Sequence, residues 1–195
     1  MEQISILDDN KRIEINKRKK EVKFVAIDVE TTGLSPVYNE LIEISAIKYE
    51  GAKKIDNFST LVKPKKEVSN IITNLTGITN KMLENAPQIE EVMPKLVKFI
   101  GNHIIVAHNA NFDVSFLQNN SNKSFSKNKV IDTVALSRKM LPNLPNHKLN
   151  TVARYIGIQE DGFHRAEFDC ECCAKIYIKY LDCLLYTSDA ADDLI

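Results

Sequence analysis

The stretch Phe24–Leu34 places two carboxylates inside a segment that is otherwise typical of a buried strand. It is an apolar, β-branched run that contains Asp28 and Glu30 and ends in Thr-Thr-Gly-Leu. Because side chains alternate along a strand, Asp28 and Glu30 project from the same face. Two neighbouring negative charges are costly there unless a cation lies between them, and hard divalent cations prefer carboxylate oxygens. An isolated pair of this kind is equally compatible with a strand end that faces water. The choice between a metal site and a solvated strand end therefore depends on the other motifs of the chain.

Composition limits the classes of protein to which the chain can belong. Its 195 residues are enough for one domain with a substantial core. No apolar run reaches membrane-spanning length and no signal peptide follows Met1, so we expect no membrane partner. The cysteines have neither disulfide-framework nor zinc spacing, which favours a reduced, cytoplasmic setting. They are Cys170, Cys172, Cys173 and Cys183.

The charge balance argues against a protein that binds nucleic acid through bulk charge. Lysine and arginine together number 26, as do aspartate and glutamate, so the formal net charge is zero. Bulk binding to phosphates depends on an excess of cations. An enzyme that holds a strand end through metal ions and a few backbone amides remains compatible with this composition.

The order of predicted elements indicates a mixed sheet. Three strands joined by tight turns are predicted between Phe24 and Val62, which favours an antiparallel meander. Helical periodicity starts near Ser69, and short strands at 103–107 and 130–133 then alternate with helices. The polar segment 119–128 is predicted to be a mobile loop, and the last helix to end at about Asp182. A sheet flanked by helices in this way belongs to the α/β class.

The chain is predicted to have three parts. Residues 1–21 are interpreted as an N-terminal extension or linker with one short hairpin, and residues 22–182 as the folded domain. Residues 183–195 match the conceptual translation of a transposase-type sequencing-library adapter, so we interpret them as an artefact and exclude them from fold reasoning. That tail holds three acidic residues and no basic ones, so without it the net charge becomes +3.

Three short motifs follow one another along the domain. They are Asp28-Val29-Glu30-Thr31-Thr32-Gly33-Leu34, His108-Asn109-Ala110-x-Phe112-Asp113 and His164-Arg165-Ala166-x-x-Asp169. Together they resemble the motifs of the DEDD superfamily, in its histidine subclass of 3′-to-5′ exonucleases. Within that family the chain is most similar to the proofreading module of the PolC-type DNA polymerase III alpha chain. The resemblance implies an RNase H-like exonuclease domain over residues 22–182.

The resemblance also implies a two-metal catalytic site. Oxygen-only ligation suits two Mg²⁺ or Mn²⁺ ions, which activate water and stabilise the leaving 3′-oxygen. His164 is the predicted general base, because an imidazole with a reference pKa of about 6.5 accepts protons near neutral pH. The four predicted metal ligands are Asp28, Glu30, Asp113 and Asp169.

Two other acids lie near these motifs and are not assigned to the metal site. Asp132 ends a short buried strand, where it could be mistaken for a ligand, and the resemblance implies a structural role for it. Glu167 lies inside the third motif, and we expect it to face solvent.

Substrate contacts are predicted around the turn that follows the first strand. The amides of Thr31, Thr32 and Gly33 are predicted to receive the terminal 3′-hydroxyl and sugar, with Leu34 beside the terminal base. The resemblance adds two further pairs of contacts, for the terminal base and for the next nucleotide. These are Leu75 and Thr76 for the base, and Asn109 and Phe112 for the next nucleotide. Core packing is an equally good interpretation of Phe112.

The predicted function is hydrolysis of single-stranded or frayed DNA from its 3′ end, with release of nucleoside monophosphates during proofreading. The partners would be DNA polymerase III components or the rest of a larger polymerase chain. Two alternatives stay open: a free-standing relative that degrades RNA or short oligonucleotides, and a non-catalytic module that binds nucleic acid or a protein partner. The five intact catalytic positions disfavour the second alternative.

Overall fold

A computed structural model describes residues 17, 20–122, 124–158 and 163–186, with side chains of the last helix described as far as Leu181. A short 3₁₀ turn, Phe125–Lys127, precedes the last strand. In chain order the elements are β1 (Lys23–Thr31), β2 (Leu41–Glu50), β3 (Lys53–Leu61), α1 (Asn70–Thr76), α2 (Asn80–Leu83), α3 (Ile89–Ile100), β4 (Ile104–Ala107), α4 (Ala110–Asn119), β5 (Val130–Asp132), α5 (Thr133–Met140), α6 (Leu149–Tyr155) and α7 (Ala166–Tyr186).

The five strands form one mixed sheet in the order β3-β2-β1-β4-β5. β1, β2 and β3 pair antiparallel, which confirms the predicted meander. β4 pairs parallel with β1, and β5 pairs parallel with β4. Because the carboxyl ends of parallel strands meet at one edge of a sheet, the segments that follow β1, β4 and β5 come together there.

β1 is buried on both faces, as expected for the central strand. Val25, Ile27 and Val29 pack into a core with residues of α3 and α4. On the opposite face, Phe24 and Ala26 pack against α7 and α6 residues. Asp28 and Glu30 lie further along this second face. The two carboxylates are therefore on the side of β1 that faces α7, near the first turn of that helix.

α7 is held closely against β1. The Cys170 thiol donates a hydrogen bond to the carbonyl of Ala26 at 2.9 Å, and the Tyr177 ring packs edge-on against Phe24 with centroids 4.9 Å apart. Cys170, Cys172 and Cys173 are buried in this helix. Within the described ranges, none of the helices is both long and apolar enough to cross a membrane.

The structure changes one prediction about the loops. Segment 119–128 is not simply a mobile loop, because Phe125 is buried in the core within the 3₁₀ turn. Asn128 is also buried, and its amide donates to the carbonyls of Gly101 and His103 at 3.0 and 2.9 Å. These contacts hold the segment that leads into β5. The prediction of a mobile loop followed from the mostly polar composition of the segment and gave too little weight to Phe125.

The predicted outer parts of the chain lie largely beyond the described residues. The hairpin proposed near the N-terminus falls entirely outside them. The predicted boundary at Asp182 falls inside α7, which continues to Tyr186. Residues 187–195, most of the predicted adapter segment, are likewise outside the description.

Candidate active site

β1 delivers the first two carboxylates. Asp28 and Glu30 are partly exposed, whereas Ile27 and Val29 between and beside them are buried on the opposite face. The alternation of a strand therefore produces the predicted same-face pair. Across the β1–β2 ladder, Glu30 lies directly opposite Glu43 and Asp28 opposite Ser45.

The third carboxylate comes from the first turn of α4. β4 runs parallel to β1, so its carboxyl end brings α4 to the same edge of the sheet as Asp28. Asp113 is 2% exposed, and its Oδ1 accepts a hydrogen bond from the backbone N–H of Val29 at 3.1 Å. This bond links the second motif directly to the strand that carries the first.

The fourth carboxylate belongs to the first turn of α7. Asp169 is 7% exposed, and its Oδ2 accepts a hydrogen bond from the backbone N–H of His164 at 2.9 Å. Its Oδ1 is buried and has no hydrogen-bond partner among the described residues. Since buried oxygens are normally satisfied, this one marks a position where a further ligand belongs.

Burial and mutual repulsion raise the pKa values of these carboxyls. The pKa of Asp28 is raised by burial first, and then by Asp113, Asp169 and Glu30. Burial, with Asp169 and Glu43, raises the pKa of Glu30 to about 8. Burial also raises the pKa of Asp169 to about 6 against the opposing hydrogen bond from His164. Like charges held this close favour a proton or a cation between them.

The pKa of Asp113 is also raised, although hydrogen bonds to its carboxylate oppose the rise. Burial raises its pKa, while hydrogen bonds from its own backbone N–H and that of Val29 oppose the rise. The hydrogen bonds orient the carboxylate, and its charge still adds to the field at Asp28. The four acids therefore form one electrostatically coupled cluster.

His164 lies beside this cluster on an exposed turn. One ligand atom from each of Glu30, His164 and Asp169 lies within 4.8 Å of the others. The backbone of His164 has φ 69°, a left-handed conformation that non-glycine residues adopt rarely and that concentrates at functional sites. This turn projects the imidazole from the start of α7 toward the carboxylates.

The donor set fits hard divalent cations. It offers carboxylate oxygens from β1, α4 and α7, and one of those oxygens is buried without a partner among the described residues. Carboxylate oxygen suits Mg²⁺ and Mn²⁺ better than it suits zinc, which favours nitrogen and sulfur ligands. A bound cation would offset the repulsion that raises the pKa values of these carboxyls.

The turn after β1 uses more of its polar groups internally than the sequence suggests. Thr31 is buried, and its hydroxyl donates to the carbonyl of Gly33 at 2.6 Å. The amide of Thr32 donates to the carbonyl of Glu40 at 2.9 Å, and its hydroxyl accepts from the amide of Glu40. The prediction that the Thr32 amide faces substrate is therefore wrong, because the other side of the loop already occupies it.

Gly33 is required at this turn by close approach. A Cβ placed there would lie 2.6–2.8 Å from the Asn39 side-chain amide, which itself accepts a hydrogen bond from the amide of Ser35. Leu34, the next residue, is 86% exposed. A large apolar side chain held in solvent beside the acidic cluster is available to pack against a base.

The two residues of the second predicted base contact differ in exposure. Leu75 is 52% exposed on α1. Thr76 is buried, and its hydroxyl donates to the carbonyl of Ile72 and accepts from the amide of Ile78. The Thr76 hydroxyl therefore closes the end of α1, and the contact of Thr76 with the terminal base stays a prediction.

Asn109 and Phe112 differ in their exposure to solvent. Asn109 is exposed in a left-handed conformation, φ 65°, that asparagine tolerates well. Phe112 is half-buried, packs against the core and lies 5.0 Å from Phe116 between ring centroids. Its inner face thus belongs to the core, as the alternative interpretation held.

Asp132 and Glu167, the two acids that the sequence analysis did not assign to the metal site, lie outside the carboxylate cluster. Asp132 caps α5 by accepting from the amide of Val134 at 2.9 Å, and it also accepts from the amide of Asn109 at 3.0 Å. It is therefore structural and holds the second motif in place. Glu167 is exposed and pairs with Lys54 at 3.7 Å.

A cavity of about 730 Å³ opens beside His164 and Asp169. This volume lies in the range of small-ligand sites, roughly 300–1,000 Å³. Its lining adds the cations Arg138 and Lys148, which complement phosphate. The remaining lining residues are His108, Asn109, Asp132, Val134, Asn146, His147, Leu149, Asn150 and Phe163.

Sequence reasoning missed the partners of Glu43. Its carboxylate is buried and binds the Arg165 guanidinium. The available signal was a charged residue in the middle of the apolar strand that runs from Leu41 to Tyr49, because charged residues are rarely buried unless they are paired.

With this geometry described, comparison with known proteins identifies the family. The family model described as "Exonuclease" (RNase_T) matches residues 25–177. The PolC-type DNA polymerase III of Caldanaerobacter subterraneus subsp. tengcongensis is 45% identical over 164 residues, or 83% of this chain and 12% of that protein. The Bacillus subtilis PolC-type enzyme is 40% identical over 184 residues, or 91% of this chain and 13% of its own length. The chain thus spans about an eighth of these curated relatives.

Solved structures agree with that result. Exonuclease X, solved in complex with 5′ overhanging duplex DNA, is 26% identical with a TM-score of 0.69, covering 88% of this chain and 98% of its own. Exonuclease I has a TM-score of 0.73 at 18% identity, covering 86% of this chain and 44% of its own, and this likeness concerns the fold alone. The mixed sheet and these neighbours agree with the predicted RNase H-like fold. The family model covers most of the chain, and the chain therefore belongs to the exonuclease family.

Proposed function

We propose that this chain is a metal-dependent exonuclease that removes nucleotides from the 3′ end of DNA. The observation that carries the proposal is the convergence of Asp28, Glu30, Asp113 and Asp169 from three separate elements. Their pKa values are raised by burial and by one another, and one buried Asp169 oxygen has no partner among the described residues. A binding module would gain nothing from concentrating unneutralised charge in this way.

The four carboxylates would hold two Mg²⁺ or Mn²⁺ ions. When bound, such ions supply charge stabilisation at the scissile phosphate and a nucleophile at neutral pH. The carboxylates orient the site before substrate arrives, since the Val29 amide fixes Asp113 and the His164 amide fixes Asp169. Preorganised groups of this kind need no rearrangement during the reaction.

His164 is proposed as the general base. Its imidazole is exposed next to Glu30 and Asp169, where it can take a proton from the attacking water. The water oxygen forms a bond to phosphorus, and the bond from phosphorus to the 3′-oxygen of the preceding nucleotide breaks. The leaving 3′-oxygen takes up a proton from solvent, so the products are a nucleoside 5′-monophosphate and a strand shorter by one residue that ends in a 3′-hydroxyl.

The substrate is proposed to be a single-stranded or frayed DNA end. Leu34 and Leu75 are exposed apolar side chains suited to the terminal base, and Asn109 lies in the adjoining cavity. The names of the relatives support DNA, because they are DNA polymerases and an exonuclease solved with DNA. Residues 22–182 are proposed as the exonuclease domain of a replicative polymerase, and proofreading as its role.

The polarity of digestion tests this proposal directly. A 5′-fluorescent single strand incubated with protein and Mg²⁺ or Mn²⁺ should give a descending ladder of 5′-labelled products. Phosphorothioate linkages at the 3′ end should block the ladder, and the same linkages at the 5′ end should not. Chelation with EDTA should abolish all cleavage.

Matched arms of that assay separate the alternatives. An RNA strand of the same sequence should be degraded more slowly than DNA, and faster degradation of RNA would favour an exoribonuclease. A duplex with a mismatched 3′ terminus should be shortened faster than a fully paired one. Absence of cleavage with either metal would refute the proposed function.

We predict that His164→Ala slows the chemical step and spares metal binding. General-base catalysis contributes about 10²–10⁴-fold, so kcat should fall by that factor while Mn²⁺ affinity measured by calorimetry stays near that of the wild type. His103→Ala is a suitable control, because His103 lies before β4 and bonds to the carbonyl of Ile100. An undiminished kcat would exclude His164 as the base, and a large loss of Mn²⁺ affinity would make it a ligand instead.

A further inference from the structure

We infer that Glu43 is a positioning residue that sets the orientation of His164 and Asp169. Glu43 lies on β2, outside all three motifs, and is only 3% exposed. This inference rests on the proposed function for its catalytic meaning, but its structural consequence can be measured in protein without metal.

Among the described residues, the hydrogen bonds of the Glu43 carboxylate lead to the start of α7. Its Oε1 accepts from Arg165 Nη2 at 2.8 Å, and its Oε2 accepts from Arg165 Nε at 3.2 Å. Oε2 also accepts from the backbone N–H of Ala166 at 3.0 Å. A buried carboxylate needs such compensation, and a planar guanidinium supplies it with defined geometry.

The bond to Ala166 has a second effect on α7. Ala166 is the first residue of the helix, and the first N–H groups of a helix lack partners within it. A carboxylate at this end also interacts favourably with the helix dipole. Glu43 therefore acts on α7 as a cap supplied by a neighbouring strand.

These contacts enclose the turn that carries His164. On one side, the His164 amide donates to Asp169 Oδ2 at 2.9 Å. On the other, the next two residues are tied to Glu43. The left-handed backbone of His164, φ 69°, is unfavourable for a non-glycine residue and persists only where its surroundings determine it. Glu43 provides that determination.

The position of Glu43 also explains why arginine is its partner. Glu43 lies directly opposite Glu30 on the same face of the sheet, where like charges destabilise a ladder. Arg165 neutralises Glu43 and leaves Glu30 available to a cation. Within the described part of the chain, the hydrogen bonds of the Glu43 carboxylate go to residues 165 and 166, so we assign it a positioning role and do not count it among the four proposed metal ligands.

A double-mutant cycle tests this role. Glu43→Gln keeps the volume of the side chain and an acceptor, so it preserves the packing and removes the charge. Misplacement of a catalytic group by about 1 Å can cost up to 100-fold, and we expect kcat to fall by at least about tenfold with little change in KM. In a His164→Ala background, the same change should lower kcat by a clearly smaller factor, because the coupled residues are not additive and only the effect through Asp169 remains.

Hydrogen exchange of the metal-free protein supplies a readout that does not depend on activity. Glu43→Gln should accelerate exchange of the amides of residues 164–169 and leave those of β3 and α3 unchanged. This result would hold even if the wild-type protein cleaved no nucleic acid, so failure of the proposed function and failure of this inference are distinguishable.

Lys54→Met is the matched control. Lys54 pairs with Glu171 at 2.9 Å and with Glu167 at 3.7 Å, so it anchors the same part of α7 from the surface. We expect this variant to retain wild-type kcat and wild-type exchange over residues 164–169. The inference is overturned if Lys54→Met matches Glu43→Gln in either measurement, if Glu43→Gln retains kcat within about twofold, or if its loss is equal in both backgrounds.

Discussion

Replacement of Asp28 by asparagine is expected to abolish exonuclease activity and, in the absence of metal, to stabilise the protein. Asp28 lies at the centre of the cluster, where burial, Asp113 and Asp169 all disfavour its ionised form. An amide of the same shape removes that repulsion and also removes a metal ligand. Loss of about 4 kcal/mol of transition-state stabilisation corresponds to roughly a thousandfold in rate.

The two effects are measured separately. Digestion of the 5′-labelled strand in Mn²⁺ gives the rate, and thermal unfolding in EDTA at pH 8 gives the stability. For a domain of this size, about 1 kcal/mol raises the melting temperature by roughly 2–4 °C. Asp56→Asn, on the exposed surface of β3, should change neither quantity appreciably. If Asp28→Asn retained more than about a tenth of the activity, the metal site as assigned would be wrong.

The metal-free protein is expected to become less stable as the pH rises from about 5 to about 8. The pKa of Asp169 in the folded protein is raised from 3.8 to about 6, and that of Glu30 from 4.5 to about 8. Between the unfolded and folded values the folded state binds more protons, so the free energy of unfolding falls with increasing pH. Over the whole range between its two pKa values Asp169 alone accounts for roughly 3 kcal/mol, and about half of that amount is lost between pH 5 and pH 8.

Saturating Mg²⁺ should reverse this trend, because the cation binds the ionised carboxylates of the folded state and stabilises it by mass action. Urea unfolding at pH 5, 6, 7 and 8, with EDTA or with Mg²⁺, measures both slopes. Asp169→Asn should flatten the slope in EDTA by removing one of the contributing carboxyls, whereas Glu167→Gln, on the same helix but exposed, should leave it unchanged. A metal-free protein whose stability stayed constant or increased over this range would contradict the electrostatic description of the site.

Several elements of this site could be predicted because they depend on short-range geometry. The two-residue spacing of Asp28 and Glu30 is enough to place them on one face of a strand. Similarly, the position of Asp132 at the junction of β5 and α5 agrees with its structural role.

The turn after β1 contains hydrogen bonds that short-range sequence patterns do not predict. Its sequence predicts a tight turn with amides that face outward, but the Thr32 amide is bonded to Glu40. The same limit applies to Thr76, whose hydroxyl closes its own helix end. Which polar group is free depends on the path of the returning chain, and no periodicity within the motif reports that path.

By itself, the sequence determined the identities of the five candidate catalytic residues, their order along the chain and the face or turn that each occupies. The shared face of Asp28 and Glu30 follows from the period of a strand, and the identities of the other candidates follow from the resemblance of the three motifs to those of the exonuclease family. Only the tertiary structure decided that Val29 orients Asp113, and that a buried glutamate on β2 holds the His164 turn through Arg165. Those contacts join segments that are distant in sequence, and they depend on the parallel register of β1 with β4 and on the docking of α7 against the sheet.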